Sequence, residues 1–217
     1  MKSFINRYLY YFAVFTLLAC SNQNEESQNS DTATTQDSDS LYENETNSDI
    51  SDTSLEPDGV MSGIVEEHNS LRKTIKTTPS LLNLSWSDSL AEEARTWAET
   101  LAETMCGYLM HSNDPVNGEN IFTAGQTSQL SWSSPKTVVQ DAWGAEKLCW
   151  DYGTISESEN CDINSCYSGC GHFTQIVWRD TKKLGCGVSS CVSDGWYYDI
   201  WVCKYFPPGN IIGQTPY

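Results

Sequence analysis

Gly171-His172-Phe173-Thr174-Gln175-Ile176-Val177-Trp178 decides how this chain is read. From Phe173 to Trp178 the segment reads as a strand. Working towards the C-terminus, residues 185–188 and 196–205 read as two more strands, joined by the turn Ser193-Asp194-Gly195. Working towards the N-terminus, a Cys- and Gly-rich loop separates the octet from a helix that Pro135 opens, with Val138, Val139, Ala142, Trp143 and Glu146 facing inward. Before it, about residues 87–105 form a longer helix. Leu90, Ala91, Ala94, Trp97, Ala98 and Leu101 recur there at threes and fours, and Ser89 with Glu92 can make a capping box. The first helix carries Ile64, Val65, His68 and Leu71 on one face, which places His68 on or beside the buried stripe, and Pro79 ends that region. Helices first and strands last predict an α+β sandwich, with helices stacked on an antiparallel sheet.

Charge divides the rest of the chain. Of 217 residues, 12 are Lys or Arg and 29 are Asp or Glu, a net charge of −17. Such a balance excludes nucleic acid as a partner, because phosphates need clustered cations, and it disfavours adsorption to anionic lipid. Residues 21–59 hold eleven acids and no base. They are too polar to offset their ordering entropy, so residues 20–59 read as a disordered acidic linker. Residues 1–19 read as a signal peptide: Lys2 and Arg7 precede an apolar run, residues 8–19, that is short for a membrane span. The run ends in Leu17-Leu18-Ala19-Cys20, which resembles the bacterial lipobox, so Cys20 is expected to carry a lipid and to hold the protein at the cell surface or outer membrane. An ordinary secretory signal cut near Ala19 is the alternative, and both imply export. Setting Cys20 aside leaves eight of nine cysteines, an even number confined to residues 106–203, as a disulfide framework requires.

The octet 171–178 resembles the signature of the CAP superfamily (cysteine-rich secretory proteins, antigen 5, pathogenesis-related 1). So does Val202-Cys203-Lys204-Tyr205-Phe206-Pro207-Pro208-Gly209-Asn210. His68-Asn69 with Arg72, then Gly118-Glu119-Asn120-Ile121, then Trp143 with Glu146 stand in the order of that family. The ending, through Pro216 and Tyr217, is most similar to the pathogenesis-related 1 branch. The resemblance covers residues 60–217 and implies a disulfide-stabilised three-layer α–β–α sandwich with a central antiparallel sheet.

The resemblance also implies a cleft tetrad, His68, Glu119, Glu146 and His172, using two of the three histidines. Two imidazoles and two carboxylates suit zinc or another divalent cation with an open position for water. They equally suit a neutral hydrogen-bonded cluster. The third histidine, His111, reads as packing or loop structure. For the cysteines the resemblance implies Cys106–Cys191 and Cys186–Cys203, leaving Cys149, Cys161, Cys166 and Cys170 to pair among themselves. Bridges suit an exported domain better than the competing zinc knuckle does.

Family members bind sterols or fatty acids. Residues 125–134, with Leu130 and Trp132 among polar neighbours, are the candidate lipid-contacting flap. No serine stands in a nucleophile-elbow setting and no His-Glu-x-x-His helix is present, so a binding cleft is favoured over an enzyme. A metal-dependent hydrolase using the same tetrad and a non-catalytic host-interaction protein are the alternatives. In the pathogenesis-related branch the last eleven residues, here 207–217, can be released as a signalling peptide; a bacterial type of lipoprotein gives no reason to expect that use, and the plainer reading of this segment is a C-terminal clamp.

Overall fold

The computed structural model describes residues 57, 59–129, 133–156, 161 and 169–217. The expected signal peptide, the lipidated Cys20, nearly all of the acidic linker, Leu130, Trp132 and Cys166 lie outside the described residues.

A four-stranded sheet, in the order β1-β3-β4-β2, is the middle layer. Strands β3 (Lys183–Ser193) and β4 (Trp196–Phe206) form a hairpin. Asp194 and Gly195 turn it with positive φ, 52° and 79°, the left-handed pair that matches the twist of the flanking strands. Strand β2 (Gly118–Gln126) lies antiparallel to β4 at one edge, and the two-residue β1 (Ser85–Trp86) runs parallel to β3 at the other. The long β2 is a strand for which the Gly118-Glu119-Asn120-Ile121 motif gave no element. Because side chains alternate across a strand, β4 is buried on both faces. Trp201, Cys203 and Tyr205 enter one core with Ile64, Leu71, Trp143 and Phe173, while Ile200 and Val202 enter the other with Ile121 and Leu101.

Among the described helices, α2 (Asp88–Thr104) covers the second face, burying Leu90, Ala94, Ala98 and Leu101. Its alanines let the backbone come close, and the sheet answers with glycines. A Cβ on Gly185 would stand 2.1 Å from the Ala91 nitrogen, and one on Gly187 would stand 2.3 Å from the Arg95 Cα. The expected capping box is replaced by Ser87 at the N-cap, whose hydroxyl meets that of Ser89 at 3.1 Å and caps no backbone N–H. The first face is covered by α1 (Ile64–Lys73), by the segment 137–149 and by α3 (Gly171–Ile176). Helix, sheet and helix thus form the three expected layers.

Two elements differ from expectation. Residues 137–149 are a π-helical turn (Thr137–Trp143) continued by a 3₁₀ turn (Gly144–Cys149), not one α-helix. The burial spacing explains it. Val138 and Val139 need a wide turn to share a face with Trp143, whereas Trp143, Glu146 and Cys149 repeat at three, the 3₁₀ period. The octet 171–178 is not a strand: residues 171–176 are α3. Residues 173–178 are all nearly fully buried, and Thr174 and Gln175 stand side by side before three apolar residues, so no face alternates and a short run of this kind fits helix or strand equally well.

Three bridges staple the described residues. Cys106–Cys191 ties the chain just past α2 to β3, Cys186–Cys203 joins directly opposed residues of β3 and β4, and Cys161–Cys170 closes onto α3. Cys149 is disulfide-bonded as well. The first two are the bridges the resemblance implied.

Candidate functional site

Six residues are too few to hold a helix on their own, and α3 is held by groups from elsewhere. At its N-terminus the Glu146 carboxylate accepts the backbone N–H of His172 and of Phe173, both at 3.0 Å, and the His172 Nδ1–H at 2.6 Å. At its C-terminus Arg72 donates from Nη1 to the carbonyls of Ile176 and Trp178, each at 2.8 Å, and from Nε to that of Leu82. Anion at the start and cation at the end both oppose the helix dipole. Burial, with Arg179 nearby, lowers the Arg72 guanidinium to about 10. With Nδ1 of His172 donating, the neutral ring has its lone pair on Nε2. Trp143 stacks on this ring, with centroids 5.9 Å apart and planes at 14°.

His68 belongs to the core. It is fully buried, and both ring nitrogens are spent: Nδ1 donates to the Ile64 carbonyl at 2.7 Å, so Nε2 accepts from the Tyr205 hydroxyl at 2.8 Å. The Asn120 amide donates to Tyr205 Oη and to the His172 carbonyl, each at 3.1 Å. A buried chain of hydrogen bonds therefore runs from α1 through the sheet to α3. Desolvation lowers His68 to about 4, keeping the ring neutral, and burial pushes the Tyr205 phenol well up.

Glu119 takes its partners on the other face. Adjacent residues of β2 point oppositely, so Glu119 sides with Lys204 while Asn120 sides with Tyr205. Its carboxylate receives His111 Nδ1–H at 2.6 Å, the Ser112 N–H at 3.0 Å, the Ser112 hydroxyl at 2.6 Å and Lys204 Nζ at 2.9 Å. Burial would raise this carboxyl, but the donors outweigh it and hold it below the ordinary glutamate range. Lys204 is almost wholly buried and also donates to Asp114 at 3.0 Å.

The four residues expected in one cleft are thus distributed as two carboxylate–imidazole pairs, Glu146–His172 and Glu119–His111, with His68 apart from both. Among the described residues, no three His, Cys, Asp or Glu side chains converge to hold a metal ion. His111, read as loop structure, is the partner that sequence reasoning missed. Its one available signal was position: it lies eight residues before Glu119, followed by a serine that bonds the same carboxylate. Of the flap, residues 125–129, 133 and 134 are described.

The sequence pattern of the cysteine-rich secretory protein family, CAP, matches residues 65–205. Pathogenesis-related protein PR-1 type of Sambucus nigra is 35% identical over 155 residues, covering 70% of this chain and 79% of that relative. GLIPR1-like protein 1 of Mus musculus is 34% identical over 157 residues, covering 69% of this chain; the match spans only 60% of the mouse protein. Among solved structures, a crystal structure of NaASP2 with Zn2+ shares the fold, with a TM-score of 0.55 at 24% identity, covering 74% of this chain and 88% of that one.

Proposed function

This chain belongs to the cysteine-rich secretory protein (CAP) family, and on that premise we propose that it is an exported, lipid-anchored binding domain whose cleft takes a divalent cation through carboxylate-oriented imidazoles. One observation carries the reading: each of two histidines donates Nδ1–H to a glutamate at 2.6 Å. That arrangement fixes the ring and makes Nε2 the ligating nitrogen. The donor set therefore suits zinc, with His172 and His111 as ligands and solvent completing the shell. Glu146 and Glu119, already engaged by several donors, orient the rings instead of binding the ion. Both pairs are tied to the start of edge strand β2, where Glu119 holds one ring and its neighbour Asn120, on the opposite face, bonds the backbone of the other. A bound ion would supply positive charge for an anionic or carbonyl ligand, and the reading requires no turnover. Export is supported by the disulfides, and anchoring by Leu17-Leu18-Ala19-Cys20.

Zinc titration by calorimetry tests the cleft. Binding should be measurable at about pH 7.5 and weaken strongly at about pH 5.5, where protons compete for imidazole. His172→Ala and His111→Ala should each abolish it. His68→Ala should lower the melting temperature and leave binding intact. Absence of binding by wild type at the higher pH would sink the cation reading. Mass spectrometry of the native N-terminus decides the anchor, since an unmodified Cys20 excludes it.

A further inference from the structure

The C-terminal tail, residues 207–217, begins where β4 ends and returns at once to α3. Thr181 Oγ1 donates to the Pro207 carbonyl at 2.9 Å, and the Gly209 N–H donates to Gln175 Oε1 at 2.8 Å. Gly209 cannot carry a side chain there, because a Cβ would stand 2.8 Å from the Trp178 ring. Asn210 follows with φ 57°, a left-handed backbone that is strained for a residue with a side chain. Its amide then grips both ends of the first turn of α3: Nδ2 donates to the Gly171 carbonyl at 2.9 Å, and Oδ1 accepts from Thr174 Oγ1 at 2.7 Å. His172 lies between those two contacts. Further along, the tail is pinned by Arg179 N–H to the Pro216 carbonyl at 2.7 Å and by a two-way backbone pairing with Ile155.

We infer that Asn210 is a positioning residue for His172, through which the tail holds the first turn of α3 and the ring that turn carries. This deepens the cation reading and rests on His172 being its ligand. Glu146 fixes the turn through its N–H groups and Asn120 holds the His172 carbonyl. The Asn210 amide adds the bonds at Gly171 and Thr174, on either side of the ring, and the strained backbone is retained because it aims that amide. The competing explanation is that asparagine stands here only because it tolerates the left-handed region.

Asn210→Gly separates the two explanations, because glycine adopts φ 57° without strain yet removes both hydrogen bonds. In the full chain, solvent exchange of the His172 Nδ1–H, followed by nuclear magnetic resonance, reports whether its bond to Glu146 holds. The His68 Nδ1–H, bonded to Ile64 in the core, is the internal reference. We expect the His172 proton to exchange about tenfold faster in Asn210→Gly, with His68 unchanged. Asn210→Asp keeps the acceptor for Thr174 and should fall between the two. Exchange of His172 at the wild-type rate, or equal acceleration of both protons, would overturn the inference. Zinc affinity of Asn210→Gly should drop by a similar factor. If wild type binds no zinc, the cation reading fails while the exchange comparison still judges the tail.

Discussion

Helices α2 and α3 pack on opposite faces of one sheet, and they are helical for different reasons. In α2, seventeen residues carry their own apolar stripe, Leu90, Ala94, Ala98 and Leu101, which is sufficient once the sheet offers glycines beneath it. In α3, four of six residues are buried, the polar Thr174 and Gln175 among them, and the groups that make the segment helical come from α1, from the 3₁₀ turn and from the tail. A helix of the first kind can be moved or decorated without consequence for a site. A helix of the second kind transmits any change in its remote supports to the side chain it carries, here His172.

The largest effect should come from removing one such support. Arg72→Met keeps most of the volume but deletes the donors to the Ile176 and Trp178 carbonyls, both buried. We expect a loss of about 3–5 kcal/mol in chemical denaturation, because two buried acceptors lose a charged partner. Native-state hydrogen exchange sharpens the contrast. The amides of α3 should open faster in the variant, while those of the α2 interior keep their wild-type protection. Equal acceleration of both helices would break the distinction between them.

Acid should reproduce part of this effect through His68, whose hydrogen-bond chain ends on the His172 carbonyl. Its folded value, about 4, lies below the unfolded value near 6.5, so the unfolded chain takes up the proton first as pH falls. The stability that neutral His68 provides is therefore complete above pH ~6.5. It is lost on descending towards pH ~4, by about 3 kcal/mol. His68→Gln has no proton to gain, so the difference in pH dependence between it and wild type isolates this contribution. If the two proteins lose stability in parallel across that window, His68 is not the buried neutral base described above.

The same contrast explains what could be read from the sequence. The hairpin β3–β4 was legible because its turn, its alternation and its partner strand are neighbours in the chain. Helix α2 was legible because its stripe is internal. The octet 171–178 identified the family but misled on structure, since nothing within it records that Glu146 waits at one end and Arg72 at the other. The site divides likewise. Periodicity correctly set His68 on the buried stripe of α1, and that burial is what commits its ring to Ile64 and Tyr205. His111 sits in a loop with no period to read, and its pairing with Glu119 became visible only when β2 brought the carboxylate back towards it.

The smallest expected effect tests the other half of the comparison. On the exposed side of α2, Arg95 bonds Glu92 and Glu99 at 2.6 Å each, a pair of surface ion contacts within one helix. Glu92 is lowered by its hydrogen bond with Arg95 and by the charge itself. If α2 depended on these contacts, it would resemble α3 in needing support outside its apolar stripe. The physics argues otherwise: all three groups are hydrated, ordering long side chains costs entropy, and salt screens what remains. Arg95→Ala also places a strong helix former at the position. Its melting temperature should match wild type within error at physiological salt, and hydrogen exchange across α2 should not change. A clear destabilisation that disappears in high salt would show that α2 relies on its surface charges, and the self-sufficiency assigned to it would have to be withdrawn.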